Sequence, residues 1–275
     1  VSIVLALLSS FLWGSADFYG GVLSKRLSPY AVVGASQACG FVAITAVVLI
    51  GGRFDGSTDW VGWALMAGCT GAAGLVLFYA ALASGTMGVV SPIAALGAIV
   101  PVIVALIQGE TPSALGFVGM AVALAGAVLA SGPELRGETG ARSVLLAAGA
   151  GVCFGLALTA LAYGARKDPI LALWGMRLTS LVIFAVVALA ARSLGGLTWS
   201  DLPKVTVIGL GDTGANLLFG IAATMGMVSL TSVAGSLYPV ATVILAWLVL
   251  NERMLKIQVL GVVLALVGIT MVSAG

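Results

Sequence analysis

The chain has 275 residues, 61% of them hydrophobic and only 8% charged, with a mean hydropathy of +1.19 and a formal net charge of +2. A soluble domain keeps roughly a quarter of its residues charged, so this composition excludes a water-soluble enzyme and places the chain in a lipid bilayer. The small net charge gives no reason to invoke nucleic acid; with no histidine and no Cys-x-x-Cys pair among Cys39, Cys69 and Cys153, no metal centre, disulfide framework or cofactor is read in it.

Apolar runs of about 17 to 25 residues are long enough to cross a hydrocarbon core of about 30 Å at 1.5 Å per residue. They predict ten transmembrane helices, at approximately 3 to 23, 30 to 50, 61 to 83, 89 to 107, 113 to 131, 144 to 165, 170 to 191, 205 to 227, 233 to 250 and 255 to 273. The first run is too long for the apolar segment of a signal peptide and lacks a small-residue cleavage site, so it is read as a span. Short connections such as Ser24-Lys-Arg-Leu-Ser-Pro29 and Arg166-Lys-Asp-Pro169 leave no room for a soluble domain. Thr111-Pro112-Ser113 reads as a helix start. Proline removes a backbone hydrogen bond and kinks a helix, so Pro92 and Pro101 in the fourth run and Pro239 in the ninth predict bends at different places.

The two halves repeat. Phe78-Tyr-Ala-Ala-Leu-Ala-Ser-Gly85 aligns with Phe219-Gly-Ile-Ala-Ala-Thr-Met-Gly226 at an offset of 219 − 78 = 141, and Trp13-Gly14 meets Phe154-Gly155 at the same spacing. Gly109-Glu110, Gly119 and Gly126 meet Asn251-Glu252, Gly261 and Gly268 at 142. The expected organisation is one membrane domain made of a five-helix repeat over 1–132 and a second over 143–275. Five crossings return the chain to the opposite side, so the second copy must be inverted, the arrangement of secondary transporters whose solute site lies near the midplane between repeats. Lys25, Arg26, Arg136, Arg142, Arg192, Lys204, Arg253 and Lys256 fall on one side of this topology and Arg53, Arg166 and Lys167 on the other. The positive-inside rule then puts both termini outside.

Leu12-Trp-Gly-Ser-Ala-Asp17, Ser236-Leu-Tyr-Pro239 and Leu250-Asn-Glu-Arg253, ahead of a glycine-spaced tenth run, resemble the EamA-type transporters of the drug/metabolite transporter superfamily. The most specific part is the spacing of Pro239 and Glu252, thirteen residues apart. In the first half Gly97 stands where the second has Pro239, with the proline displaced to Pro101. The resemblance implies an all-α protein of ten transmembrane helices in a 5+5 inverted repeat around a central cavity. It also implies movement of small organic solutes, often export of metabolites or amino acids, and both termini in the cytoplasm, against the loop count.

The stretch Val207-Ile-Gly-Leu-Gly-Asp-Thr-Gly-Ala-Asn216 admits several readings. Gly209, Gly211 and Gly214 spell a dinucleotide loop, but no strand precedes them and no acid follows at the required distance. Gly209 to Asp212 spell the Gly-x-Gly-Asp of an intramembrane aspartyl protease, with Asp17 as the second acid, although Ala16 stands where that class has tyrosine. The plainest account of the glycines is close helix packing in lipid. It leaves Asp212 unexplained, because an ionised side chain at mid-bilayer costs at least about 2.5 to 3.5 kcal/mol and normally faces a wet cavity or a partner.

The repeats disagree at polar positions: Asp17 corresponds to Leu158, Gln37 to Arg177, Gly71 to Asp212 and Leu75 to Asn216. An asymmetric polar set on a symmetric scaffold suits a solute with distinguishable ends. Asp17, with Trp13 one turn before it, is the first candidate for proton coupling or for holding a cationic group; the structural alternative is an ion pair with Arg177. Arg177 can instead hold a substrate carboxylate, with Trp174 one turn away stacking on it or anchoring the helix. Asn216 shares a helical face with Asp212. Tyr79 and Tyr238 are further candidates for solute contact, whereas Glu110 and Glu252 at span ends read as headgroup-level charges. The expectation is a secondary active transporter in the plasma membrane, exporting small organic metabolites or drugs by alternating access with coupling to protons; the alternative is the aspartyl protease.

Overall fold

The computed structural model describes residues 1–24, 26–52, 57–85, 87–130, 140–192, 195–250 and 255–274. Among them are helices and no strand. The order is α1 (Ser2–Ser24), α2 (Pro29–Ile50), α3 (Val61–Ser84), α4 (Met87–Ala95), α5 (Ile99–Ile107), α6 (Ala114–Ala130), α7 (Ala141–Ala165), α8 (Pro169–Ala191), α9 (Leu202–Met225), α10 (Val228–Gly235), α11 (Tyr238–Leu250) and α12 (Lys256–Ala274). They make ten crossings, because α4 and α5 run end to end through a 3-10 turn at Leu96–Ala98, and α10 and α11 meet at Ser236 and Leu237. Lys25, Arg53, Arg136, Asn251, Glu252 and Arg253 lie outside the described residues.

Both expected bends are present and differ in kind. Pro239 stands at the second position of α11, directly after the break. In the fourth crossing Pro92 lies inside α4, and the break comes after it at Leu96–Ala98. Gly97 there faces the backbone of Gly151, where an added Cβ would lie 2.8 Å from the Gly151 carbonyl carbon, so only a glycine lets the turn dock so closely. The ninth crossing begins at Val228, five residues before the boundary expected at 233. Ser229, Thr231 and Ser232 lower the hydropathy of this turn and concealed it. The helix forms nonetheless, and the Thr231 hydroxyl donates back to the Met227 carbonyl at 2.9 Å.

Packing repeats with the sequence. In the map that takes α1–α6 onto α7–α12, α3 packs on α7 as α9 packs on α1, and α3 on α8 as α9 on α2; α6 packs on its own counterpart α12. These are the contacts of a pseudo-twofold relation between two five-crossing halves, inverted because five is odd. On the axis, Gly119 and Gly126 of α6 meet Gly261 and Gly268 of α12. A Cβ on Gly268 would come within 2.7 Å of the Gly119 carbonyl oxygen, and one on Gly126 within 2.8 Å of that of Gly261. In lipid, where apolar surface gains nothing by leaving the solvent, such close backbone approach is a main source of helix association.

Two apolar clusters lie toward opposite faces. One, around Leu23, Val32, Phe78, Tyr79 and Val90, gathers residues near the face where α1 ends; the other, around Ile44, Leu161, Leu173, Phe219 and Val228, gathers residues near the face where α1 begins. At the first face the Arg26 guanidinium pairs with the buried Asp201. At the second, Glu110 is a helix cap rather than a free headgroup-level charge. Its carboxylate accepts from the backbone N–H of Val228 (2.8 Å) and Ser229 (3.0 Å) and from the Ser229 hydroxyl (2.8 Å), and it pairs with Arg166 at 3.3 Å. The position before α10 is Met227, which has no side-chain acceptor to offer. Two of the open N–H groups at the start of the ninth crossing are therefore satisfied by an acid from the other half. Ser113 plays the expected starting role for α6, accepting from the Gly116 N–H at 2.9 Å.

Candidate functional site

Between these two clusters is a cavity of about 770 Å³, its open side included. It is walled by α1 (Trp13, Asp17), α2 (Gln37), α3 (Gly71, Leu75), α7 (Phe154, Leu158), α8 (Met176, Arg177, Ser180) and α9 (Asp212, Asn216). The two helix breaks also reach it, through Ala95 and Ala98 on one side and Gly235, Ser236 and Tyr238 on the other. Broken crossings meeting a central cavity are the usual place for a transported solute, because irregular backbone at membrane depth is tolerated where it lines such a space.

The polar groups divide into a paired set and a single acid. Arg177, with 1% of its side chain exposed, places Nη1 2.8 Å from Oδ2 of Asp212. Gln37 ties the two together: its Oε1 accepts from Arg177 Nη1, and its Nε2 donates to Asp212 Oδ2 at 3.1 Å. Asn216 adds a bond from Nδ2 to Asp212 Oδ1 at 3.1 Å, and its spacing of four residues also lets it reach the Asp212 carbonyl at 2.7 Å. All four side chains thus share one network on α2, α8 and α9, and its charges cancel. The ion pair open to Arg177 in the sequence, with Asp17, is not the one formed; α8 and α9 bring Arg177 to Asp212 instead. Among the described residues none hydrogen-bonds or pairs with the Asp17 carboxylate. The cavity with its three ionisable groups charged is therefore net negative by one, and the uncompensated charge is on Asp17.

Nε and Nη2 of Arg177 are buried and have no hydrogen-bond partner among the described residues, and neither has the hydroxyl of Tyr238. Trp13 rests on Phe219, ring centroids 5.6 Å apart, which fixes the indole as a wall one turn from Asp17. Trp174 donates from Nε1 to Thr45 Oγ1 at 3.0 Å and sits edge-on to Trp60. Tyr79 is not among the lining residues. It is 3% exposed in the apolar cluster beyond Asp17, with its ring on Phe78 and its hydroxyl close against Gly20.

The sequence pattern of the EamA-like transporter family matches twice, over residues 1–132 and again over 141–274. The chain belongs to the EamA-like transporter family. An uncharacterized transporter of Archaeoglobus fulgidus is 29% identical over 122 residues, which is 44% of this chain and 43% of that protein, so the chain matches less than half of that relative's length. A crystal structure of an 18%-identical protein superposes with a TM-score of 0.82 over 99% of this chain and 96% of the other, which shows the same fold.

This member of the EamA-like transporter family has two lining hydroxyls that the sequence did not single out. Ser180 stands one turn after Arg177 and donates to the carbonyls of Met176 (3.1 Å) and Gly68 (3.3 Å); Ser236 stands at the ninth-crossing break and donates to Val233 at 2.8 Å. The spacing from Arg177 was a usable signal for Ser180. Ser236 had only its place within Ser236-Leu-Tyr-Pro239. Phe154 and Met176 carry no polar signal, and only the helix packing brings them to the cavity.

Proposed function

We propose that this EamA-like transporter is a secondary active exporter of small organic metabolites or drugs, which its two halves, 1–132 and 143–275, expose alternately to either face of the plasma membrane. The observation that supports the reading best is the Asp17 carboxylate, unpaired among the described residues, in a central cavity whose other charges neutralise one another. A cavity of net charge −1 favours a proton or a cationic group over an anion. Asp17 is the residue at which the two compete, and Trp13 beside it offers an aromatic face to an organic cation. The partnerless nitrogens of Arg177 suit an acceptor at the other end of the solute, a carboxylate included, and Tyr238 offers a hydroxyl. The larger number of loop Lys and Arg puts the face where α1 ends in the cytoplasm.

The protease reading loses support at Asp212. Such enzymes need two acids that share a proton, and Asp212 is committed to Arg177 and Gln37.

The experiment is transport by purified protein in proteoliposomes under an imposed pH gradient, across a panel of labelled metabolites and cationic drugs. The wild type is expected to exchange solute for protons. Asp17→Asn is expected to abolish the proton-dependent component while leaving a monodisperse, folded protein. Proton-driven flux unchanged in Asp17→Asn removes that residue from the mechanism.

A further inference from the structure

Outside the transport pathway, at the face where α1 ends, a groove runs between α1 and α9. Its volume is about 950 Å³ counting its open side. Its walls are Tyr19, Val22 and Val207, which are 46%, 49% and 62% exposed and face the surrounding lipid; Ile208, 3% exposed, belongs to its floor. Its rim is cationic, formed by Arg26 and Lys204. The Arg26 side chain is 54% exposed although it pairs with Asp201. Asp201 itself is held by the Thr198 N–H (3.1 Å) and hydroxyl (2.8 Å), so the guanidinium is anchored at the bilayer interface with part of its donor set turned outward. Lys204 is exposed and has no carboxylate partner among the described residues. With Arg26 and Asp201 cancelling, the rim retains one positive charge.

We propose that this groove binds one anionic diacyl phospholipid, its phosphate between Arg26 and Lys204 and an acyl chain along Tyr19, Val22 and Val207. The apolar walls accept a chain from any lipid, so they do not select. Selection comes from the rim. A phosphatidylglycerol headgroup brings a net negative charge to it, whereas in phosphatidylcholine the quaternary ammonium offsets the phosphate. Basic side chains at the ends of membrane helices recognise acidic headgroups in this way, and the rim lies on the face that carries most of the loop Lys and Arg. The site matters for the transporter because α1 and α9 carry Asp17 and Asp212. A lipid seated along both braces, from outside, the helix pair that holds the cavity's two acids.

The test is native mass spectrometry of the full chain released from detergent micelles containing equimolar phosphatidylglycerol and phosphatidylcholine of identical acyl chains. Wild type is expected to retain one phosphatidylglycerol in preference to phosphatidylcholine. Lys204→Gln, an exposed substitution, should weaken that preference about fivefold, the share of one basic group near an acidic headgroup, and Lys204→Arg should restore it. Val207→Trp, which fills the groove, should remove the bound lipid of either type while a monodisperse size-exclusion peak and an unchanged helical circular dichroism spectrum show the protein folded. Equal retention of the two lipids, an unchanged preference in Lys204→Gln, or a dimer whose formation excludes lipid from this groove would each overturn the proposal.

Discussion

Removing Asp212 tests the central network most directly. At 2.8 Å and an effective dielectric constant of 20, the attraction between Arg177 and Asp212 is 332/(20 × 2.8), about 6 kcal/mol, before the cost of withdrawing both ions from water. Breaking a buried pair from one side typically costs about 3 to 5 kcal/mol, since the surviving ion stays dehydrated and uncompensated. The two sides are not equivalent here. Asp212→Leu strands Arg177, whose side chain is 1% exposed and already carries two partnerless nitrogens, so the full 3 to 5 kcal/mol loss is expected. Arg177→Met leaves Asp212, 16% exposed on the cavity wall and still bonded to Gln37 and Asn216, and should cost less, about 1 to 3 kcal/mol. The double variant removes both charges and should be more stable than the sum of the single losses implies, with a coupling of about 1 to 3 kcal/mol. Equilibrium unfolding in dodecylmaltoside micelles titrated with sodium dodecyl sulfate, followed by tryptophan fluorescence, measures all four proteins. Strictly additive losses, or an Asp212→Leu variant within about 1 kcal/mol of wild type, would refute a buried pair that excludes Asp17.

Further outcomes follow from the packing. Glu110→Ala deprives α10 of three hydrogen bonds at its start and should lower stability by about 1 to 2 kcal/mol, with Glu110→Gln intermediate, as read by thermal unfolding in detergent. Gly268→Val places methyl groups where even a Cβ would lie 2.7 Å from the Gly119 carbonyl. It should force α6 from α12, costing about 1 to 3 kcal/mol or more and reducing the monodisperse fraction on size-exclusion chromatography. The matched control is Gly62→Ala in α3, which meets nothing within 4 Å; it should be neutral or stabilise by up to about 1 kcal/mol in the same assay.

The membrane class, the number of crossings and the inverted duplication were all legible in the chain itself. Each is a property of local composition: a run of apolar residues must be helical in lipid wherever it packs, and a repeat offset needs no coordinates. For the same reason Gly119, Gly126, Gly261 and Gly268 could be matched by spacing before their contact was visible. Element ends were less legible where hydroxyl side chains diluted the hydropathy, as at Ser229 to Ser232. Asp17, Gln37, Arg177, Asp212 and Asn216 stood out as costly polar groups in apolar runs, but their pairing did not. An arginine two turns into α8 can reach an acid on whichever helix faces it, and a sequence gives neither helix rotation nor neighbour. Tertiary packing decided that Arg177 meets Asp212 through Gln37, that Glu110 closes the start of a helix in the opposite half, and that Asp17 is left without a partner among the described residues. Partner choice among buried charges depends on separations of a few ångströms between segments more than a hundred residues apart, and those are set only when the helices dock.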